Sequence, residues 1–255
     1  MFKLRRLVDQ PILAPIPEYP WESAAVFNCA VTVHEGKIYM IYRAADRDFA
    51  VLRRPTPEAA LKFTSSLGCA VSSDGITFQR EAQPIYTGAG EQEAWGVEDP
   101  RLSRIGDTYY MVYTAFGGRS WDDHRIALAS SKDLRTWERH GVLLAEPNKD
   151  GALLEDQVAG GYLLFHRRLP HIWTAVSSDL QEWQDHQILM ETIPGGWEEF
   201  KIGIAGPPLR IRQGYLMIYH AVDKNHTYRL GAALLDGENP RKVVRRLPEP
   251  ILEPE

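Results

Sequence analysis

The chain has 255 residues, with 29 Lys and Arg against 34 Asp and Glu, a formal net charge of −5 and two cysteines. That length can bury a substantial core, as one large all-β domain or two smaller ones, and the mildly acidic balance gives no electrostatic reason to bind DNA, RNA or an anionic membrane. Cys29 and Cys69 are too few for a disulfide framework or a zinc ribbon; each follows apolar or small residues, as buried free thiols do, and fits a reducing compartment.

Read in chain order, the N-terminus MFKLRRLVDQPILAP carries basic residues, but Asp9, Pro11 and Pro15 interrupt it before any apolar run long enough for a signal peptide. No later segment approaches a membrane span, so the expected location is the cytoplasm. A first set of strand signals then follows: NCAVTV (28–33), IYMIYR (38–43) behind a glycine turn at Gly36, and GCAVSSDGITF (68–78). The set recurs as DPRLSR (99–104), YYMVYT (109–114) after Gly106 and IALASSKDLRTW (126–137). It recurs again as DGALLE (150–155), YLLFHR (162–167) after Gly161 and WTAVSSDLQEW (173–183), and a fourth time begins with AGPPLR (205–210) and YLMIYH (215–220) after Gly214. Each Ser-Ser with its Asp turn predicts a tight connection into one more strand.

One repeat is therefore four strands in about 50 residues, with no helical stretch, which is the signature of propeller blades. The polar residues closing the second strands are Arg43, Thr114, Arg167 and His220, separated by 71, 53 and 53 residues. The long first interval holds RDFAVLRRPTPEAALKFTSS (47–66), read as an inserted loop of roughly 18 residues. QPILAP (10–15) and EPILEP (249–254) are nearly the same string, so the sequence ends at the phase where it began. In a propeller, residues of one phase face a common channel. Three of the four closing residues are basic in an acidic protein, although ordinary polar strand ends on a rim would also account for them.

The stretch WGVEDPRL (95–102) concentrates charge at the start of the second repeat. Asp99 stands 15 residues before Thr114, as Asn28 stands 15 before Arg43, and Pro100 is expected to hold Asp99 extended. An Asp-Pro turn with a salt bridge to Arg101 is the structural reading of these residues. The chemical reading is acid catalysis on a sugar, which needs a proton for the leaving oxygen and a nucleophile at the anomeric carbon. The phase-equivalent Arg43, Arg167 and His220, with Lys201 in KIGIAGPP, suit a doubly charged oxyanion, which makes inorganic phosphate the nucleophile.

FNCAVTVHEGKIYMIYRAAD, GVEDPRL, KDGALLEDQVAGGYLLFHR, HIWTAVSSDLQEW, KIGIAGPPLRIRQGYLMIYHAVD and YRLGAALLD together closely resemble glycoside hydrolase family 130, the β-mannoside phosphorylases and their relatives, from about residue 10 onward. The resemblance implies a single domain over 1–255, an all-β, five-bladed β-propeller; four complete repeats are visible here, so the last blade is incomplete, the ring closes with four, or another subunit covers the gap. It implies inverting phosphorolysis of β-mannosides to α-mannose 1-phosphate, without a metal and with no cofactor beyond phosphate as co-substrate. Asp99 matches the family's general acid, whose proton travels through a sugar hydroxyl. Arg43, Arg167, Lys201 and His220 match its phosphate-binding side chains, and Asn28 a sugar contact. Where YH is usually followed by glycine this chain has Ala221, and IRQGY replaces a more polar run, which puts the acceptor side in a different setting.

Asp46, Arg101 and Tyr228 are further candidates for substrate contact, with Asp48 beside Asp46 as either a contact or part of a solvated loop. His166 alternates with Arg167 and is read as a structural histidine on the opposite face. WDDHR (121–125) lacks zinc-ligand spacing. Trp21, Trp95, Trp121 and Trp197 lie in expected loops, where indoles either stack on sugars or pack between blades. The expected partners are a small oligosaccharide and phosphate, with no nucleic acid and no membrane, and a homo-oligomer is compatible with the sequence. The alternatives are a β-mannoside hydrolase on the same fold, with Glu98 or Glu155 activating water, and a noncatalytic sugar-binding propeller.

Overall fold

The computed structural model describes residues 2–47 and 64–254. Most of the inserted loop, with Asp48, lies outside the described residues. The rest forms strands, and among the described residues the helical content is two single 3-10 turns, Pro20–Glu22 and Glu91–Glu93. Among the described residues no helix is long and apolar enough to cross a membrane.

The chain divides into two compact units. The first is Val8–Leu102 with Gly106–Pro147; the second is Met1–Leu7, Ser103–Ile105 and Asn148–Glu255. The first unit holds a sheet of β1 (Ala25–His34), β2 (Lys37–Ala45), β3 (Ser65–Ser72) and β4 (Gln79–Arg80), and a sheet of β5 (Val97–Ile105), β6 (Thr108–Phe116), β7 (His124–Ser131) and β8 (Glu138–Val142), each with spatial order equal to chain order. The second unit holds β9 (Lys149–Leu153), β10 (Tyr162–Arg168), β11 (His171–Ser177) and β12 (Gln184–Met190). Its other sheet has the order β13 (Lys201–Ile204), β15 (Gly214–Val222), β16 (Tyr228–Leu235) and β17 (Val243–Arg246), with the short β14 (Leu209–Ile211) also on β15. The four repeats are thus four blade-like sheets. In the last, AGPPLR does not continue β13, because consecutive prolines at 207 and 208 have no N–H to give a ladder; β14 resumes pairing after them.

β2, β6, β10 and β15 are interior strands, flanked on both sides, and their sequences are nearly continuous apolar runs for that reason. Ile41, Leu67, Met111 and Tyr113 anchor the core of the first unit, and Phe165, Ile202, Met217 and Tyr219 that of the second. Cys69 is buried as expected. Cys29 is not: it is exposed, because the β1–β2 register shifts between Phe27 and Ala30 and the bulge turns residue 29 outward.

A second device recurs beneath the strand ends. Tyr42, just ahead of Arg43, donates its hydroxyl to Glu22 at 2.8 Å, and Arg80 donates to the other oxygen of Glu22 at 2.7 Å. Tyr113 and Arg139 hold Glu93 in the same way, at 2.6 Å each, and Tyr219 donates to Glu198 at 2.8 Å while Arg246 pairs with that carboxylate. Burial first, and then the neighbouring carboxylate, push the Tyr42 hydroxyl far above the usual phenol range. Trp21 lies over Tyr42 and Trp197 over Tyr219, stacked at 6.2 and 6.0 Å. Facing these rings, Gly68 and Gly231 leave no room for a side chain: a Cβ on either would fall 2.3 Å from the tyrosine ring. In the third sheet the equivalent of these tyrosines is His166, buried and bonded to Asn148 at 3.0 Å and His186 at 3.3 Å. The expected structural histidine is the local substitute for a tyrosine.

The Ser-Asp turns after β3, β7 and β11 are built alike. The Ser72, Ser131 and Ser177 hydroxyls donate to Asp74, Asp133 and Asp179, whose carboxylates accept backbone N–H groups two and three residues on. Those backbone donors hold Asp74 and Asp133 down to about 2.

Two outcomes follow. Glu22→Ala removes the partner of a half-buried arginine and strands a buried tyrosine hydroxyl, and is expected to destabilise the protein by about 2–3 kcal/mol, against about 1 kcal/mol for Tyr42→Phe, by denaturant unfolding; the reverse order would refute the tether. Because its folded value is depressed, Asp133 contributes stability that is present above the ordinary carboxyl range near 3.8 and lost as pH falls toward about 2. Asp133→Asn should therefore flatten the acid limb of the stability profile and leave the neutral limb unchanged in shape.

Candidate functional site

In the first unit, Arg43 near the end of β2 is 6% exposed, so its charge must be answered within reach. Nη2 donates to Glu98 Oε1 at 2.6 Å, Nη1 to Asp99 Oδ1 at 3.1 Å and Nε to Ser65 Oγ at 3.2 Å, while the guanidinium sits 4.7 Å from the centre of the Phe27 ring. Asn28 Nδ2 donates to the same Asp99 Oδ1 at 2.8 Å. Asn28, Arg43 and Asp99, far apart in sequence, are therefore brought together.

The backbone that aims them is unusual. Asp99 has φ +51°, so the extended conformation expected ahead of Pro100 is not adopted; Asn28 has φ +46°. Asn and Asp tolerate this left-handed region better than other residues with a side chain. In β1, Asn28 and Cys29 together stand opposite one residue of β2, a bulge that re-aims the Asn28 side chain toward Asp99. Arg101 is buried and donates Nη1 to the carbonyls of Asp99 and Pro100, at 3.2 and 3.0 Å, so it braces the turn through its backbone; the expected salt bridge of Asp99 is made with Arg43. Asp46 accepts the backbone N–H of Thr64 at 2.7 Å.

In the second unit the same bulge recurs. Asp150 and Gly151 stand opposite His166 between the Leu153 and Lys149 ends of β9, and Asp150 has φ +56°. Its Oδ2 lies 2.5 Å from Arg167 Nη1 and 3.3 Å from His220 Nε2, and those two nitrogens are 3.5 Å apart. Gly203 pairs with His220 across β13–β15, and a Cβ there would fall 2.3 Å from Asp150 Oδ2 and 2.7 Å from the His220 ring. Lys201 Nζ lies 5.4 Å from the centre of the Tyr228 ring, which is 6.0 Å from that of His220. Arg167, His220, Lys201 and Tyr228 thus form one group within this unit.

Two carboxylates stand out against the sequence reading. Glu98 is a partner of Arg43 at 1% exposure, and Asp150, buried beside Arg167, is a group that no motif in the sequence marks. The signal for Asp150 was its place 17 residues ahead of Arg167, close to the spacing of Asn28 and Asp99. Glu155, the other carboxylate considered for activating water, accepts the backbone N–H of Arg104 at 2.8 Å. Trp95, Phe116 and the exposed Trp121 form an aromatic cluster, with Trp95 edge-on to the other two at 5.3 and 5.7 Å. In WDDHR, Asp123 is held by Arg119, and among the described residues no group of three or more His, Cys, Asp or Glu is placed to hold a metal ion.

Comparison with known proteins follows the same lines. The sequence profile of the family described as β-1,4-mannooligosaccharide phosphorylase, glycoside hydrolase family 130, matches residues 58–255. The chain is 53% identical to a β-1,2-mannobiose phosphorylase and 50% identical to a 1,2-β-oligomannan phosphorylase, both of Thermoanaerobacter sp. (strain X514), over 100% of this chain and 84% of each relative. Among solved structures, the β-1,2-mannobiose phosphorylase of Listeria innocua in complex with β-1,2-mannobiose matches with a TM-score of 0.82 at 27% identity, covering 91% of this chain and 78% of that one. The fold is all-β and β-propeller-like, with four blades.

Gly203→Ala tests the close approach in the second unit. The added methyl has to displace Asp150 or His220, with an expected cost of about 1–3 kcal/mol in denaturant unfolding; a neutral substitution would mean that the carboxylate is not fixed against Gly203.

Proposed function

Because this chain belongs to glycoside hydrolase family 130, we propose that it is an enzyme that cleaves β-mannosides by inverting phosphorolysis, with inorganic phosphate as nucleophile and α-mannose 1-phosphate as product. The 53% identity across the whole chain with a β-1,2-mannobiose phosphorylase carries this reading. Together with the 1,2-β-oligomannan phosphorylase at 50%, it favours β-1,2-linked mannosides over the β-1,4 linkage in the family's description. The reading takes residues 1–255 as a single cytoplasmic propeller domain of the family's five-bladed type and is compatible with a homo-oligomer.

Asp99 is assigned as the general acid. Its Oδ1 is fixed by Asn28 and Arg43, which supports a role that depends on orientation. Asn28, Asp46, Arg101 and Tyr228 are assigned to the substrate. The phosphate-binding groups are Arg43 in the first unit and Arg167, Lys201 and His220 in the second. Guanidinium groups suit this task because each presents paired N–H donors to two oxygens of one anion. An anion engaging Arg43 competes with Asp99 for the same donor, and a carboxylate relieved of its cation holds a proton more readily. Phosphate binding would in this way favour the acid that the leaving sugar needs. The inorganic nucleophile takes the anomeric carbon while the proton passes to the glycosidic oxygen, so no second protein carboxylate is required.

The test is turnover of β-1,2-mannobiose with and without phosphate. Cleavage is expected only with phosphate, giving mannose 1-phosphate, and Asp99→Asn should lower turnover by about a hundredfold or more. Equal rates without phosphate, with two mannose molecules and no mannose 1-phosphate from each mannobiose, would assign hydrolysis instead. Binding of mannosides without turnover in either direction would assign a sugar-binding propeller.

A further inference from the structure

A carboxylate sits among the cations of the second unit. Asp150 Oδ2 is 2.5 Å from Arg167 Nη1 and 3.3 Å from His220 Nε2, with both Asp150 and Arg167 less than a tenth exposed. Retreat is blocked on one side by the Gly203 backbone, where even a methyl group would stand 2.3 Å from the same oxygen. An anion gripping Arg167 and His220 therefore comes within hydrogen-bond reach of a fixed carboxylate. Two unprotonated oxyanions at that range repel, and with little water between them the repulsion is weakly screened. Contact turns favourable only if one of the facing oxygens carries a proton. Near neutral pH inorganic phosphate keeps at least one P–OH, whereas sulfate, of the same shape, has none.

We propose that Asp150 is a specificity-determining residue of the anion site: its carboxylate accepts a hydrogen bond from the P–OH of inorganic phosphate and excludes tetrahedral anions that have no proton to donate. The inference rests on the phosphorylase reading and assigns to that site a selectivity the cations alone cannot supply. Arg167 and Lys201 attract any oxyanion, because their N–H groups only donate. Asp150 adds a fixed carboxylate acceptor against Arg167 and His220, and a charged acceptor is what distinguishes a protonated oxyanion from a bare one. A site built to hydrogen-bond one particular O–H discriminates strongly against an analogue that lacks it.

The test is calorimetric titration of inorganic phosphate and of sulfate into the wild-type protein, Asp150→Asn and Asp150→Ser. The wild type is expected to bind sulfate at least about tenfold more weakly than phosphate, and Asp150→Asn to bind sulfate at least about tenfold more tightly than the wild type does, since like-charge juxtaposition is removed. A residue that merely held Arg167 and His220 in place would change both anions alike, so an unchanged phosphate-to-sulfate ratio in Asp150→Asn overturns the proposal. Should both variants fail to fold, the wild type decides alone: sulfate binding as tightly as phosphate refutes the role. The parent reading is judged separately by omitting phosphate from the turnover assay. Phosphate-dependent turnover with no anion discrimination removes only the role of Asp150, and failure of the wild type to bind phosphate at all removes both.

Discussion

A guanidinium taken out of water has to be met by negative charge and filled acceptors, or the strand that carries it cannot be buried. Arg43 imposes that demand on the first unit. Glu98 and Asp99 come from the next sheet to meet it, Ser65 takes the remaining edge and Phe27 covers a face of the group. Glu98 and Asp99 are neighbours in a strand, so their side chains should point to opposite faces. The left-handed backbone at Asp99 breaks that alternation and lets both reach one arginine. The same bend that neutralises the charge therefore also sets the direction of the Asp99 carboxylate, the proposed general acid.

The second unit answers the same demand with a different residue set. Arg167 meets Asp150 from its own sheet, and His220 from the last sheet joins them. That approach is open because β13 offers a glycine opposite His220. Around both groups the tyrosine, carboxylate and arginine tethers fix the strand one residue ahead of the polar ends. The carboxylates come from turns and loops, but the tyrosines they hold are on interior strands, so the side chains that follow are carried on rigid elements.

Much of this was legible in the sequence because a blade leaves a periodic trace. A glycine turn, an apolar run and a polar close identify β2, β6, β10 and β15 without reference to one another, and the Ser-Asp turns mark where each third strand ends. Asn28 and Asp99 emerged from counting residues back to Arg43 and Thr114. What stayed hidden depends on register. The β9–β10 hairpin is two residues longer than β1–β2, which moves Asp150 off a strict count from Arg167, and the bulge in β1 turns Cys29 from the core to the surface. Glu22, Glu93 and Glu198 did leave a signal, each standing 20 or 21 residues ahead of its tyrosine. They sit in loops without strand periodicity, where an acidic residue gives no sign of being buried.

Positive φ angles at residues 28, 99 and 150 also bear on how such a protein diverges. A position that must combine a hydrogen-bonding side chain with left-handed backbone admits a very small alphabet, in practice Asn and Asp, with glycine tolerated by the backbone but chemically silent. Selection on new substrates has few moves there. The strand ends carry no such restriction and already differ, as Arg, Thr, Arg and His at 43, 114, 167 and 220. Backbone geometry leaves those four places wider freedom of residue type than residues 28, 99 and 150, which the fold holds to a slowly changing record of its ancestry.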